Sequence, residues 1–156
     1  MKKKNCLIIV ALILFTVVIA IIRVFTGIPK PTAGTLTLIV NNKETMVDPS
    51  KASKVEVSGT TVNSKGDKKE INTSGYALKD VITLSGAKDE DYTSVKVTAS
   101  DEFSATLTKA EIDDGQRAFL IGESSDKGDV FFKLIVFGDS DSKRQVKNVA
   151  RIELIK

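Results

Sequence analysis

Seventeen consecutive residues, Cys6 to Ile22, contain a single polar side chain, Thr16. At about 1.5 Å per residue this run makes about 25 Å of helix, close to a hydrocarbon core of about 30 Å. Arg23 can carry its charged head to the interface, and Val24, Phe25 and Ile28 lengthen the apolar stretch. The competing reading is a cleaved signal peptide, but the run is longer than a usual signal-peptide core and no convincing small-x-small site follows it; a lipoprotein is disfavoured because Cys6 precedes the run. The pattern therefore predicts an uncleaved transmembrane signal anchor over 6–26. Lys2, Lys3 and Lys4 stand before it, and Arg23 and Lys30 after it. The positive-inside rule places residues 1–5 in the cytoplasm and the C-terminal part outside, at a single-pass cell membrane. Residues 27–34, Gly-Ile-Pro-Lys-Pro-Thr-Ala-Gly, read as an extended linker, because two nearby prolines disfavour helix. A globular domain must then be built from 35–156.

That domain has a different charge balance from the whole chain. The 156 residues carry 23 basic and 20 acidic side chains, but five of the basic ones and no acid precede residue 34. What remains is slightly acidic, which argues against nucleic acid as a partner. The chain has no His and one Cys, so imidazole bases, Ser-His-Asp triads and Cys/His zinc sites are excluded. Trp is absent, so the core must be largely aliphatic.

Alternating apolar residues predict strands at 35–40, 54–62, 68–74, 94–100, 103–108, 117–123 and 130–137, with a last one closing the chain after 146. The run 130–137 is the most hydrophobic outside the anchor and is expected to be a central strand. Leu78, Val81, Ile82 and Ser85 fall at helical spacing, with Gly86 as the stop. Thr108-Lys109-Ala110-Glu111 fits a capping box that starts a second short helix. With strands outnumbering two or three short helices and no βαβ repeat, the class expected is α+β with β-rich mixed sheets.

Three stretches, taken together, carry a resemblance. Gly75-Tyr76-Ala77-Leu78 with Ser85-Gly86-Ala87 is similar to a Gly-x-Pro-Leu helix ending in Ala-Gly. The Val95–Leu107 hairpin, with Asp101-Glu102-Phe103 at its tip, is similar to a strand–Asp-Gly-Tyr–strand unit. Val146-Lys147-Asn148-Val149 with Ile152-Glu153 is similar to a closing Val-Lys-Asn-Val-x-x-Ile-Glu segment. In this order the segments resemble the molybdopterin-binding domain of sulfite-oxidase-type oxidoreductases. The resemblance implies a sulfite-oxidase-like fold and a molybdenum-binding Cys upstream of the first helix. Residues 57–74 hold no Cys, and Ser or Asn supplies no comparable soft ligand. Gly128-Asp129-Val130-Phe131-Phe132-Lys133 stands where the family has Gly-Gly-Pro-Leu-Arg. The expectation is a retained scaffold with its site emptied: no catalytic residue, no metal ligand and no cofactor, with molybdopterin entering through the resemblance only.

The remaining candidates are cofactor- or anion-binding. Asn63, Ser64 and Lys65 form a polar turn, and Lys133 takes the position of the family's Arg. Lys143, Arg144, Lys147 and Arg151 form a basic cluster in sequence that suits an anion, or equally a solvated strand edge. Three functions are expected, in descending order. The first is a non-catalytic, membrane-tethered binding module for a protein partner or small anionic ligand. The second is an accessory subunit of a membrane redox complex, and the third a cofactor-binding oxidoreductase with atypical ligation.

Overall fold

A computed structural model describes residues 32–63 and 65–156; the expected membrane anchor and most of the linker lie outside these. Among the described residues no helix is long and apolar enough to cross a membrane. The described residues form nine strands in two sheets. The first combines β1 (Leu36–Val40), β2 (Lys43–Val47), β5 (Ser94–Ala99), β6 (Ser104–Thr108) and β9 (Val149–Ile155) in the order β2-β1-β9-β5-β6. Its pairs are antiparallel except β1 with β9. The second combines β3 (Lys54–Val62), β4 (Lys68–Ala77), β7 (Ala118–Ser124) and β8 (Val130–Val136) in the order β3-β4-β7-β8, all antiparallel.

The α+β class with a sulfite-oxidase-like fold is thereby corrected: the described chain is mainly β. Its helices are α1 (Leu78–Thr83) and α2 (Lys109–Asp113), of six and five residues, besides single 3-10 turns at Pro49–Lys51 and Asp89–Asp91. The helical spacing at Leu78, Val81 and Ile82 is real, and all three are buried. Helices this short bury too little surface to form a layer and serve instead to link strand ends.

The main core lies between the inner faces of the two sheets. Leu36 and Leu38 of β1, Val95 and Val97 of β5, Leu107 of β6 and Ile152 of β9 meet Leu120, Phe132, Leu134 and Val136 of β7 and β8. A second cluster lies on the opposite face of β7 and β8, where Phe119, Ile121, Ile135 and Phe137 are covered by Val55, Val57 and Ile71 of the β3–β4 hairpin. The Phe119 and Phe137 rings meet edge to face, with centroids 5.9 Å apart. This second layer corrects the expectation for β8. It is the edge strand of its sheet, and its continuous hydrophobicity arises because both of its faces are covered.

The hairpin reaches that outer face by leaving the plane of its sheet. Along β3 and β4 it is paired over nine residues, Lys54↔Tyr76 to Val62↔Lys68, yet β4 meets β7 only at Tyr76↔Leu120 and Ala77↔Phe119. Gly75 marks the point of departure. A Cβ there would lie 2.7 Å from the carbonyl oxygen of Leu120, so only glycine permits the approach. At the far side Gly59 lies against the Phe137 ring, where a Cβ would come within 2.8 Å. The consequence is a fork between β4 and β7.

Candidate functional site

Two polar regions stand out, and they are built on opposite logic. The first gathers the capping residue of α2 and the loop after β8. Thr108 and Glu111 form the expected capping box, the Thr108 hydroxyl accepting from Glu111 N at 3.4 Å and Glu111 Oε2 accepting from Thr108 N at 2.9 Å. The other oxygen, Glu111 Oε1, receives Arg144 at 2.8 Å and Arg117 at 3.4 Å. Arg144 also forks onto Asp139, through Nε at 2.8 Å and through Nη2, and Arg117 approaches the same carboxylate at 3.3 Å. The Glu111 and Asp139 side chains are only 17% and 12% exposed, so these pairs are screened less than surface ones. Hydrogen bonding from Arg144 first, and from Thr108 after it, holds the Glu111 carboxyl down at about 2 against the cost of burial. Asp139 first and Glu111 second push the Arg144 guanidinium in the opposite direction, further toward permanent charge. Nearly every donor and acceptor here is used, Arg117 Nε being the one buried donor left over.

A smaller set of the same kind joins the two helices. Lys79 and Lys109 reach Asp113 at 2.8 Å and 2.5 Å, and Lys109 lies over the Tyr92 ring at 5.4 Å. Lys109 first and Lys79 second depress the Asp113 carboxyl, while burial raises the Tyr92 phenol.

The second region is a cleft of about 510 Å³ on the inner side of the fork. Ser74 and Tyr76 of β4 form one wall, and Gly122 and Ser124 of β7 the other. Val130 and Phe132 of β8 continue it, and Lys54 stands at the start of β3. The chain leading into β1 closes the rim at Ala33–Thr35, where Gly34 N donates to Val130 O at 2.7 Å. Tyr76 and Phe132 make an edge-to-face pair with centroids 6.2 Å apart, giving the cleft an aromatic base. Asp48, the one carboxylate on the rim, already accepts from Ser50 N at 2.9 Å and Ser50 Oγ at 2.6 Å. Lys54, by contrast, makes no ion pair among the described residues. The cleft joins an apolar base, convergent hydroxyls and one cation, the composition of a small-ligand site.

The residues singled out from sequence do not build this cleft. Asn63 is consumed by its own turn: Oδ1 accepts from Lys65 N at 2.8 Å and Asp67 N at 2.9 Å, and Nδ2 donates to Asp67 Oδ2 at 3.0 Å. Lys65 is exposed at that hairpin tip, and Ser64 lies outside the described residues. Lys133 stands on the outer face of β8, 3.9 Å from Glu123. The basic residues near the C-terminus are distributed among different tasks. Lys143 pairs with Asp141 at 2.8 Å, Arg144 turns to Glu111 and Asp139, and Lys147 is exposed. Arg151 lies in β9 between Thr37 and Thr98 on the outer face of the first sheet, its Nε buried without a partner. Sequence reasoning missed Lys54, Ser74, Gly122 and Ser124 because a fork between strands has no local pattern. The one available signal was Gly75 in an otherwise strand-like run. The donor set does not suit molybdenum: the chain's single Cys is Cys6, and the cleft walls offer hydroxyls and an ammonium but no sulfur.

No protein-family model matches the chain, and no curated protein matches it either.

Proposed function

We propose that the protein is a membrane-anchored, extracytoplasmic binding module that holds a small or segmental ligand in the β4–β7 cleft without transforming it. The observation that carries this reading is the pairing of an aromatic base with polar groups that have no internal role. Lys54, Ser74 and Ser124 face one cavity, and none forms an ion pair or side-chain hydrogen bond among the described residues. Polar groups kept for structure tend to be satisfied internally, as in the Glu111 cluster; groups left open around a concave apolar base suit recognition. The apolar run at 6–22 supplies the tether, and the basic residues before it supply the orientation.

The cleft also lies at the end of the domain where the chain arrives from the linker, since Ala33 and Gly34 form part of its rim. A linker of a few residues keeps that end near the bilayer. Two measurements test the reading. Protease added to intact cells should remove the part of the chain beyond the linker, whereas full protection overturns the topology. Amide chemical shifts of the detergent-solubilised chain, recorded with a panel of amino acids, sugars and short peptides, should move at Lys54, Ser74 and Ser124. If no compound in the panel moves them, the cleft is not a binding site.

A further inference from the structure

The hydrogen-bond parity of the second sheet identifies what kind of ligand the cleft takes. In an antiparallel ladder, residues alternate between those bonded to one neighbour and those facing the other. Across β7 and β8 the bonded pairs are odd-numbered, since Phe137 N donates to Arg117 O at 2.8 Å and Ser125 N to Asp129 O at 2.8 Å in the same register. The even residues of β7 therefore turn their N–H and C=O groups toward β4. The β3–β4 hairpin obeys the same count: Asn63 N donates to Asp67 O at 2.9 Å, so the even residues of β4 turn toward β7. Tyr76↔Leu120 is the last such pair made. Continuing the register, Ser74 would meet Gly122 and Asn72 would meet Ser124, but β4 has already left the plane.

Gly122 and Ser124 thus present backbone donors and acceptors to the fork, unmatched by any backbone partner among the described residues. Both line the cleft, and Gly122 places no side chain in the way of an approaching backbone. We propose that the ligand is an extended peptide segment that adds as a strand to the β7 edge at Gly122 and Ser124, and that Lys54 receives a carboxylate it carries. The main-chain groups of two alternate residues are the complement of a strand. The ammonium of Lys54, without an ion pair among the described residues in a cleft whose one described carboxylate, Asp48, is engaged by Ser50, supplies the charge preference. Val130, a large side chain left 38% exposed, and Tyr76 offer an apolar seat for one side chain of the peptide.

This inference rests on the cleft being a binding site, and the experiment separates the two. The detergent-solubilised full chain is titrated with N-acetyl-Ala-Leu-Ala bearing a free carboxylate, with two N-methylated versions of it, one blocked at the central residue and one at the two residues flanking it, and with its C-terminal amide. Hydrogen exchange is read at Gly122 and Ser124. The expected result is slowed exchange at both amides with the first peptide, and about tenfold weaker binding for the N-methylated version whose blocked N–H groups face β7 but not for the other, as befits the alternation of a strand and the loss of a main-chain hydrogen bond. The C-terminal amide should bind several-fold more weakly to the natural chain and equally well to Lys54→Ala. Shifts at Ser74 and Tyr76 without protection at Gly122 and Ser124 would leave a binding cleft but overturn the strand addition. Protection in the free chain that fades on dilution would give the edge to a second copy; protection that persists on dilution would give it to another segment of the same chain. Either overturns the peptide proposal, and silence at every cleft residue overturns both readings.

Discussion

The Glu111 cluster and the β4–β7 cleft have comparable polar content but differ in how that content is used. At the first, two carboxylates and two guanidiniums face one another and the α2 cap, so the charges are compensated within the fold. At the second, an ammonium, hydroxyls and two residues' worth of strand edge face a cavity with little internal compensation. Compensated groups report on what holds the chain together. Uncompensated ones report on what it meets.

The sharpest way to break that contrast is at Arg144. Removing it leaves Glu111 and Asp139, both largely buried, with Arg117 as their one remaining cation among the described residues, so Arg144→Ala should lower stability by about 3 kcal/mol. Urea unfolding monitored in the β-sheet circular dichroism band measures it. A loss below about 1 kcal/mol would mean that the cluster behaves as an ordinary surface network.

Gly75→Ala should follow, at about 2 kcal/mol. The new methyl would press on the Leu120 carbonyl oxygen, a backbone atom that cannot rotate away, with Ile121 and Val57 close behind. The same change should widen the fork and disturb the amides of Gly122 and Ser124. A destabilised variant whose fork amides are unmoved would separate the packing role of Gly75 from its part in shaping the cleft.

The pH dependence of the Glu111 cluster has a definite sign. The Glu111 carboxyl falls from an ordinary value of 4.5 to about 2 on folding, so its contribution is complete above 4.5 and is lost as pH drops toward 2. Glu111→Gln should therefore melt below the natural chain at neutral pH, and the gap should close as pH falls through that window. A gap that stays constant down to pH 2.5 would assign the loss to the altered hydrogen bonds of the cap rather than to charge.

What the sequence makes legible follows from how local each feature is. The capping box at Thr108 and Glu111 and the stop at Gly86, left-handed at φ 79°, depend on neighbours within a few residues. Eight of the nine described strands were readable for the same reason; β2 was not, because only Val47 of its five residues is buried and it carries no apolar alternation. What was not readable depends on distant segments. The hydrophobicity of 130–137 suggested a central strand because a chain covered by its own hairpin has the same composition as one flanked by two neighbours. The basic residues at 143–151 look like one patch in sequence, but the loop turns Arg144 toward α2 while β9 carries Arg151 to another face. Lys54 was inconspicuous among many exposed lysines until the fork placed it on the cleft.

The smallest expected effects on stability are at the cleft itself, and they are the most discriminating. Lys54 and Ser124 are exposed, and neither forms an ion pair or side-chain hydrogen bond among the described residues, so replacing either with Ala removes solvent-facing atoms only. Lys54→Ala and Ser124→Ala should each shift stability by less than about 0.5 kcal/mol. If urea midpoints instead move by as much as those of the Glu111 cluster, the cleft side chains are structural and the contrast between the two regions disappears. If the midpoints hold while peptide affinity falls for Lys54→Ala, the open charge is part of recognition. For Ser124 the expectation is sharper, because a strand adding to β7 engages its backbone more strongly than its hydroxyl. Ser124→Ala, which removes the hydroxyl alone, should weaken peptide binding less than Ser124→Pro, which removes the N–H and should abolish peptide-induced protection at Gly122.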